Sequence, residues 1–289
     1  MKFKLQLGIL FLSVVFGQGS ALAQKSSVEE RPDPKAAKIW EKAIEAKGGR
    51  QRLEAVRNLY QQRIWTDCPN GCVEDYLFVF PGKIWKFDMT PFGSFEPRGD
   101  ITIWNFDQKL WQKVYRNMEA SLLAGSTAAL EFNPHSYNHD YYQLQYPQYV
   151  LLLESKWLKP IPLSTRKAWV GLRRVDIVRV RIPDVIDLNT KNDLVMDYYL
   201  DSNSHLTIET RYVKNGKADK EGSVTYSNYV EVNGIKLPQT ITPWRPLFAD
   251  PESKGSLKYK YQIDVDVDEG IFVRPLNNHM GRYEWRKSK

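Results

Sequence analysis

Cysteine and histidine are scarce in this chain: two cysteines and four histidines among 289 residues. That leaves little material for a metal centre or for thiol chemistry, and what exists lacks the necessary spacing. Cys68 and Cys72 flank Pro69-Asn70-Gly71. They form C-x-x-x-C across a turn rather than C-x-x-C at a helix start, which argues against a redox pair, and with no histidine nearby they offer half a tetrahedral zinc site. The spacing fits a disulfide that closes a tight loop in an oxidising compartment, worth roughly 2 kcal/mol in the chain-entropy model. His135 and His139 stand at i, i+4 before Asp140, but no glutamate lies between them, and Asn133-Pro134 and Asn138 favour a loop. No metal and no cofactor is expected. Nucleophile elbow, P-loop and dinucleotide-binding glycine patterns are also missing, so no catalytic residue can be named and a non-enzymatic role is expected.

Long hydrophobic runs are absent after the first two dozen residues. The start itself reads as an address: Lys2 and Lys4, an apolar run from Leu5 to Phe16, then Ala21-Leu22-Ala23 before Gln24. A basic start, about a dozen apolar residues and an A-x-A site define a secretory signal, with cleavage expected after Ala23. The run is too short to span a bilayer, and Gln24 is not the cysteine of a lipid-anchored protein. Residues 1–23 are therefore read as a signal peptide, 24–32 as a flexible leader, and 33–289 as one domain exported to a periplasm, with no transmembrane segment. The formal charge of +7 is spread along the chain. Without a helix-turn-helix, RNA-binding or zinc-finger pattern, nucleic acid is not an expected partner, whereas an anionic lipid surface matches the sign.

What the chain has in quantity is aromatic surface: 9 Trp, 16 Tyr and 12 Phe, 13% of the residues. Mean hydropathy is nonetheless only −0.49. The periodicity says where most of them go. Asp33-Pro34 opens a helix carrying Ala37, Trp40 and Ile44 on one face, Gly48-Gly49 ends it, and a short helix from Arg50 follows. Beyond Leu59 the period falls to two. Five strands are expected at Tyr60 to Thr66, Cys72 to Phe80, Lys83 to Met89, Ile101 to Asn105 and Leu110 to Tyr115. A middle segment, Arg116 to Pro162, departs from this pattern and is expected to hold one or two helices, one starting at Pro147 with Val150, Leu153 and Trp157 on one face and stopped by Pro160 to Pro162. Strands resume near Arg174, punctuated by Asn215-Gly216 and Asn233-Gly234 turns. An apolar phase slip between Ile177 and Val178 points to a bulge or an exchange of faces. A long final strand is expected to alternate from Leu257 to Val267, its acidic row Asp264, Asp266 and Asp268 forming a solvated edge rather than a calcium site. The fold class is α+β: about eleven strands in one curved antiparallel sheet wrapped around a few helices.

The order of these parts resembles a known family. Trp40 to Gly49 with Leu53 and Leu59 resembles the opening helix of the outer-membrane lipoprotein-sorting, LolA-like superfamily. Ile103-Trp104-Asn105-Phe106-Asp107-Gln108-Lys109-Leu110-Trp111 is similar to a hairpin of that family. Asp197 to Asp201 with Leu206, Tyr226 to Tyr229 with Gly234 to Pro238, and Val265 to Asp268 with Phe272 and Pro275 follow its closing strands in order. The resemblance implies a half-open β-barrel whose concave face, lidded by helices, carries a lipid or a lipoprotein acyl chain through the periplasm. The proposed lining is Trp85, Phe87, Trp104, Trp111, Trp157, Tyr259, Tyr261 and Ile263. Partners would be that lipid or acyl chain and envelope proteins of the inner or outer membrane. The alternative on the same scaffold is a sensor of envelope stress or lipid that regulates a protein partner.

Overall fold

The computed structural model describes residues 31–66, 72–80, 83–88, 100–105, 110–115, 160–186, 193–243 and 256–272. Helix α1 (Pro34–Lys47) starts as its sequence dictates: the Asp33 carboxylate accepts the Lys35 N–H at 2.8 Å, and Pro34 occupies the first turn. Gly48 and Gly49 stop it at φ 143° and 84°. Gly48 has a second reason to be glycine, since a Cβ there would lie 2.6 Å from the Gly234 carbonyl oxygen. The short α2 (Arg50–Ala55) then buries Leu53.

Twelve strands follow among the described residues: β1 (Asn58–Trp65), β2 (Val73–Val79), β3 (Lys83–Asp88), β4 (Asp100–Asn105), β5 (Leu110–Tyr115), β6 (Ile161–Val170), β7 (Arg173–Ile186), β8 (Asp193–Asp201), β9 (Thr207–Lys214), β10 (Lys217–Val232), β11 (Ile235–Pro243) and β12 (Leu257–Ile263). They form one sheet in the order β5-β4-β3-β2-β1-β12-β11-β10-β9-β8-β7-β6. Two antiparallel meanders are thus joined where the first strand pairs with the last, from Leu59 opposite Ile263 to Trp65 opposite Leu257. Asn215-Gly216 and Asn233-Gly234 make their turns with both residues at positive φ, as two-residue hairpins of the type I′ class require.

The sheet must curl. One apolar cluster contains Tyr76 and Phe78 of β2, Val178 and Val180 of β7, Tyr198 of β8, and Ala36, Trp40 and Ile44 of α1. In a flat sheet β2 and β7 would stand roughly 33 Å apart, seven strand spacings. A helix only about 10–12 Å across could not bridge them. The strands therefore wrap around α1, whose Trp40 meets the Tyr198 ring edge-on at 4.9 Å. Among the described residues the sheet stays open, with β5 and β6 as its two edges. This is the layout the sequence led us to expect, with one strand more: β6 begins at Ile161, whereas strands were expected to resume only near Arg174.

Two local expectations are corrected. The β7 phase slip is not a bulge, because its pairing with β8 runs unbroken from Val175 opposite Asp201 to Ile182 opposite Leu194. Instead both faces are covered: Val175 and Ile177 pack with Tyr199 on the outer side, Val178, Val180 and Ile182 on the inner. The last strand does not alternate through Val267. It ends at Ile263, because Asp264 takes φ 55° and its carboxylate accepts the Arg57 N–H at 2.7 Å. The Asn58 side chain then clamps Val265 with bonds of 2.9 and 2.8 Å. That turn sends Val265 and Val267 over the outer face, where they pack with Ile271 and Phe272 of a 3-10 turn (Glu269–Phe272).

Candidate ligand-binding face

Strand registers sort the side chains. On the inner face, the one that carries α1, β1 presents Leu59, Gln61, Arg63 and Trp65, flanked by Ile263, Tyr261, Tyr259 and Leu257 of β12 and by Phe78, Tyr76 and Glu74 of β2. Helix contact covers the Leu59 end of this row. Toward the Trp65 end the surface becomes aromatic: Tyr226, Ile241, Leu257 and Tyr259 form a cluster of their own, with Trp65 and Tyr261 packed against it.

A charge sits inside this aromatic end. The Arg63 side chain is only 2% exposed and donates from Nη1 to Glu74 Oε2 at 2.8 Å. Its guanidinium lies 4.9 Å from the centre of the Tyr76 ring and 5.7 Å from that of Tyr259. Lys86 Nζ holds the other Glu74 oxygen at 2.8 Å. A buried ion of this kind is tolerated because carboxylate and rings replace its hydration, and each desolvated cation–ring contact contributes about 1–2 kcal/mol. Beside it, Gln61 is fully buried, and among the described residues neither its amide oxygen nor its amide nitrogen has a hydrogen-bond partner. The phenols around the row are tied down: Tyr261 donates to the Pro238 carbonyl and Tyr229 to the Thr207 carbonyl, both at 2.6 Å. Tyr226 shares a 2.9 Å bond with Thr210. Burial holds the Tyr226 and Tyr229 phenols well above their ordinary range, so they remain neutral.

The eight lining candidates divide. Tyr259, Tyr261 and Ile263 share the inner face, with Tyr259 and Tyr261 stacked at 5.8 Å. Trp85 and Phe87, stacked at 6.0 Å, lie instead on the outer face in the cluster of Tyr60, Leu77 and Ile103 that the 3-10 turn covers. Trp104 and Trp111 are register partners on β4 and β5; their side chains, and the whole of Trp157, fall outside the described residues. So does Cys68, whereas Cys72 is buried at the foot of β2 and its carbonyl accepts the Trp65 N–H. Gln61, Arg63 and Glu74 were missed. Read as alternation alone, polar residues at 61 and 63 mark a wet face; only a partner strand of aromatics turns that face inward.

The outer face near β6–β9 holds a second polar group. Asp197 is fully buried and accepts from Arg179 Nε at 2.7 Å and from Arg166 Nη2 at 2.9 Å. Arg211 binds Glu209 at 2.6 Å and lies 4.5 Å over the Tyr199 ring. Hydrogen bonds to these carboxylates raise both the Arg179 and Arg211 values against the opposing effect of burial. Three arginines share two carboxylates, and the arrangement braces the strands rather than offering a reactive group. No cluster of metal-ligand type exists among the described residues, and none of their helices is long and apolar enough to cross a membrane.

No protein-family model and no curated protein matches the chain. Among solved structures it is similar to a DUF1329 family protein from Desulfovibrio piger, at 8% identity over 82% of this chain and 96% of the other, TM-score 0.44. It is similar to a LolA superfamily protein from Nitrosomonas europaea, at 14% identity over 83% and 98%, TM-score 0.44. A third is a domain provisionally named as an outer membrane lipoprotein-sorting protein from Vibrio parahaemolyticus, at 12% identity over 82% and 97%, TM-score 0.41. At such identities and scores, ligand and activity have to be argued from the residues themselves.

Proposed function

We propose that this is a non-enzymatic binding protein of the LolA-like kind, which carries a lipid or lipoprotein acyl chain against its inner face. The supporting observation is the dry row Leu59, Gln61, Arg63 and Trp65, an aromatic surface that contains an amide with all its hydrogen-bonding capacity unspent. An alkyl chain on such a surface gains about 0.8 kcal/mol per methylene removed from water. The Gln61 amide can both donate to and accept from an ester or amide at the head of that chain. Among the described residues no group on this face is arranged as a nucleophile with its base, and we assign the site no reaction. The lining we propose is Gln61, Trp65, Tyr259, Tyr261 and Ile263, with Trp104, Trp111 and Trp157 as further candidates.

The N-terminal segment, read as a secretory address, supports a periplasmic setting for this function, where a Cys68–Cys72 staple would close the loop between β1 and β2. N-terminal sequencing of the exported protein should begin at Gln24. Native mass spectrometry of protein purified without detergent tests the carrier reading. A co-purifying lipid of discrete mass is expected; protein of bare polypeptide mass, unable to take up added lipid, would overturn it.

A further inference from the structure

The hairpin joining β6 to β7 exposes what the rest of the fold hides. Trp169 is 70% exposed and Leu172 98% exposed, the two exposed large apolar side chains among the described residues. They are held out by design of the backbone. Val170 pairs with Arg173, so the loop is just Gly171-Leu172. Gly171 has φ 57°, the first central position of a type II′ turn, which follows the twist of the strands. Among the described residues nothing lies within 4 Å of where a Gly171 Cβ would be. Behind the tip, Ala168 and Val170 pack on Val175, Ile177 and Tyr199, which anchors the hairpin to the sheet.

Within the hairpin itself the charges have one sign, with Asp176 and Asp201 standing behind it beside Lys167 and Arg173. Arg166, Lys167, Arg173 and Arg174 flank Trp169 and Leu172 without an acidic residue from 166 to 174. Lys167 also lines an open groove of about 420 Å³ between β6 and α1, together with Lys35, Lys38, Ile39, Thr165, Arg166 and Asp176. Arg166 is held by Asp197, but Lys35, Lys38, Lys167 and Arg174 form no ion pair among the described residues. An indole and a leucine at a two-residue turn, beside Lys167 and Arg174, which form no ion pair among the described residues, and on a strand at the edge of the described sheet, match a bilayer interface. The indole suits the head-group level, the leucine the acyl boundary, and the cations the phosphates.

We propose that the β6–β7 hairpin is a membrane-docking tip that binds anionic phospholipid bilayers, Trp169 and Leu172 entering the interface while Lys35, Lys38, Lys167, Arg173 and Arg174 engage head groups. The tip lies outside the inner-face row, and the inference does not rest on what that row carries.

Co-sedimentation of the whole mature protein with vesicles of phosphatidylglycerol and phosphatidylethanolamine, against vesicles of phosphatidylcholine alone, tests it. Binding to the anionic vesicles is expected, weakening as salt rises. Leu172→Ser should reduce the association constant by about tenfold, the loss of one apolar insertion. Arg174→Ala should reduce it by about fivefold, one cation near the surface. Both positions are exposed, so unchanged far-ultraviolet circular dichroism and melting confirm the variants' fold. Absence of binding to anionic vesicles, or equal binding by wild type and Leu172→Ser, would overturn the proposal. So would a Leu172-dependent dimer in ultracentrifugation without vesicle binding, because the tip would then serve a second copy of the chain. Lipid detection by mass reads the inner face separately, so failure here leaves the carrier reading standing, and the reverse.

Discussion

Gln61→Leu should make the empty protein more stable and a poorer binder. The Gln61 side chain is completely buried with both polar atoms unpartnered, between Tyr261 on β12 and Tyr76 on β2. Leaving a buried amide unsatisfied costs about 1–3 kcal/mol, and leucine removes that cost in nearly the same volume. With allowance for some repacking, the variant should gain about 1–2 kcal/mol, or several degrees at about 2–4 °C per kcal/mol for a domain of this size. The assay is urea unfolding of solvent-extracted protein, with an unchanged dependence on denaturant showing that both states are otherwise intact. The same substitution removes the polar anchor for a ligand head group, so lipid retained through purification should fall. A Gln61→Leu protein destabilised by more than about 1 kcal/mol would refute the reasoning, since the amide must then have a partner that stabilises the fold.

Trp40→Ala, which empties the contact between α1 and Tyr198, should cost about 3–5 kcal/mol in the same unfolding assay. Asp197→Asn leaves Arg179 and Arg166 around an uncharged, fully buried side chain; a loss of about 3 kcal/mol is expected, the low end for a broken buried pair because both arginines reach water. Tyr226 and Tyr229 should stay un-ionised when the exposed tyrosines titrate in ultraviolet absorbance. Their folded values lie above the ordinary 10.0, so the stability they contribute is complete below pH 10.0 and declines as pH rises beyond it, when unfolded phenols ionise and folded ones do not. At the acid end, burial pushes the Asp201 carboxyl up, but hydrogen bonds from Ser204 and Asn203 and the charge of Arg173 bring it below its ordinary 3.8. Its contribution is therefore complete above pH 3.8 and lost as pH falls through the lower folded value, a dependence that Asp201→Asn should remove from stability measured across that range.

The sheet was legible because turns and periodicity are local. Asn215-Gly216 and Asn233-Gly234 can adopt two consecutive positive φ values, and Asp33-Pro34 and Gly48-Gly49 bracket α1 by capping and by the lack of a Cβ. Faces were less legible. Alternation tells which residues lie together but not which side receives the helix, and that depends on partners far along the chain. Trp85 and Phe87 went to the outer face for this reason: their strand is placed, through β2, by the pairing of β1 with β12. Arg63 and Gln61 looked wet until Tyr259 and Tyr261 were set beside them. The end of β12 was hidden in one residue, since an aspartate that reads as strand continuation instead takes a left-handed φ once Arg57 and Asn58 offer their N–H groups.

Photo-crosslinking tests the inner-face account most directly. A fatty acid bearing a terminal diazirine, loaded onto the whole protein and irradiated, should leave adducts on peptides spanning residues 57–66 and 257–263, and Gln61→Leu should reduce their yield. Adducts confined to the outer-face peptides that contain Trp85 and Phe87, or no saturable labelling at all, would contradict it.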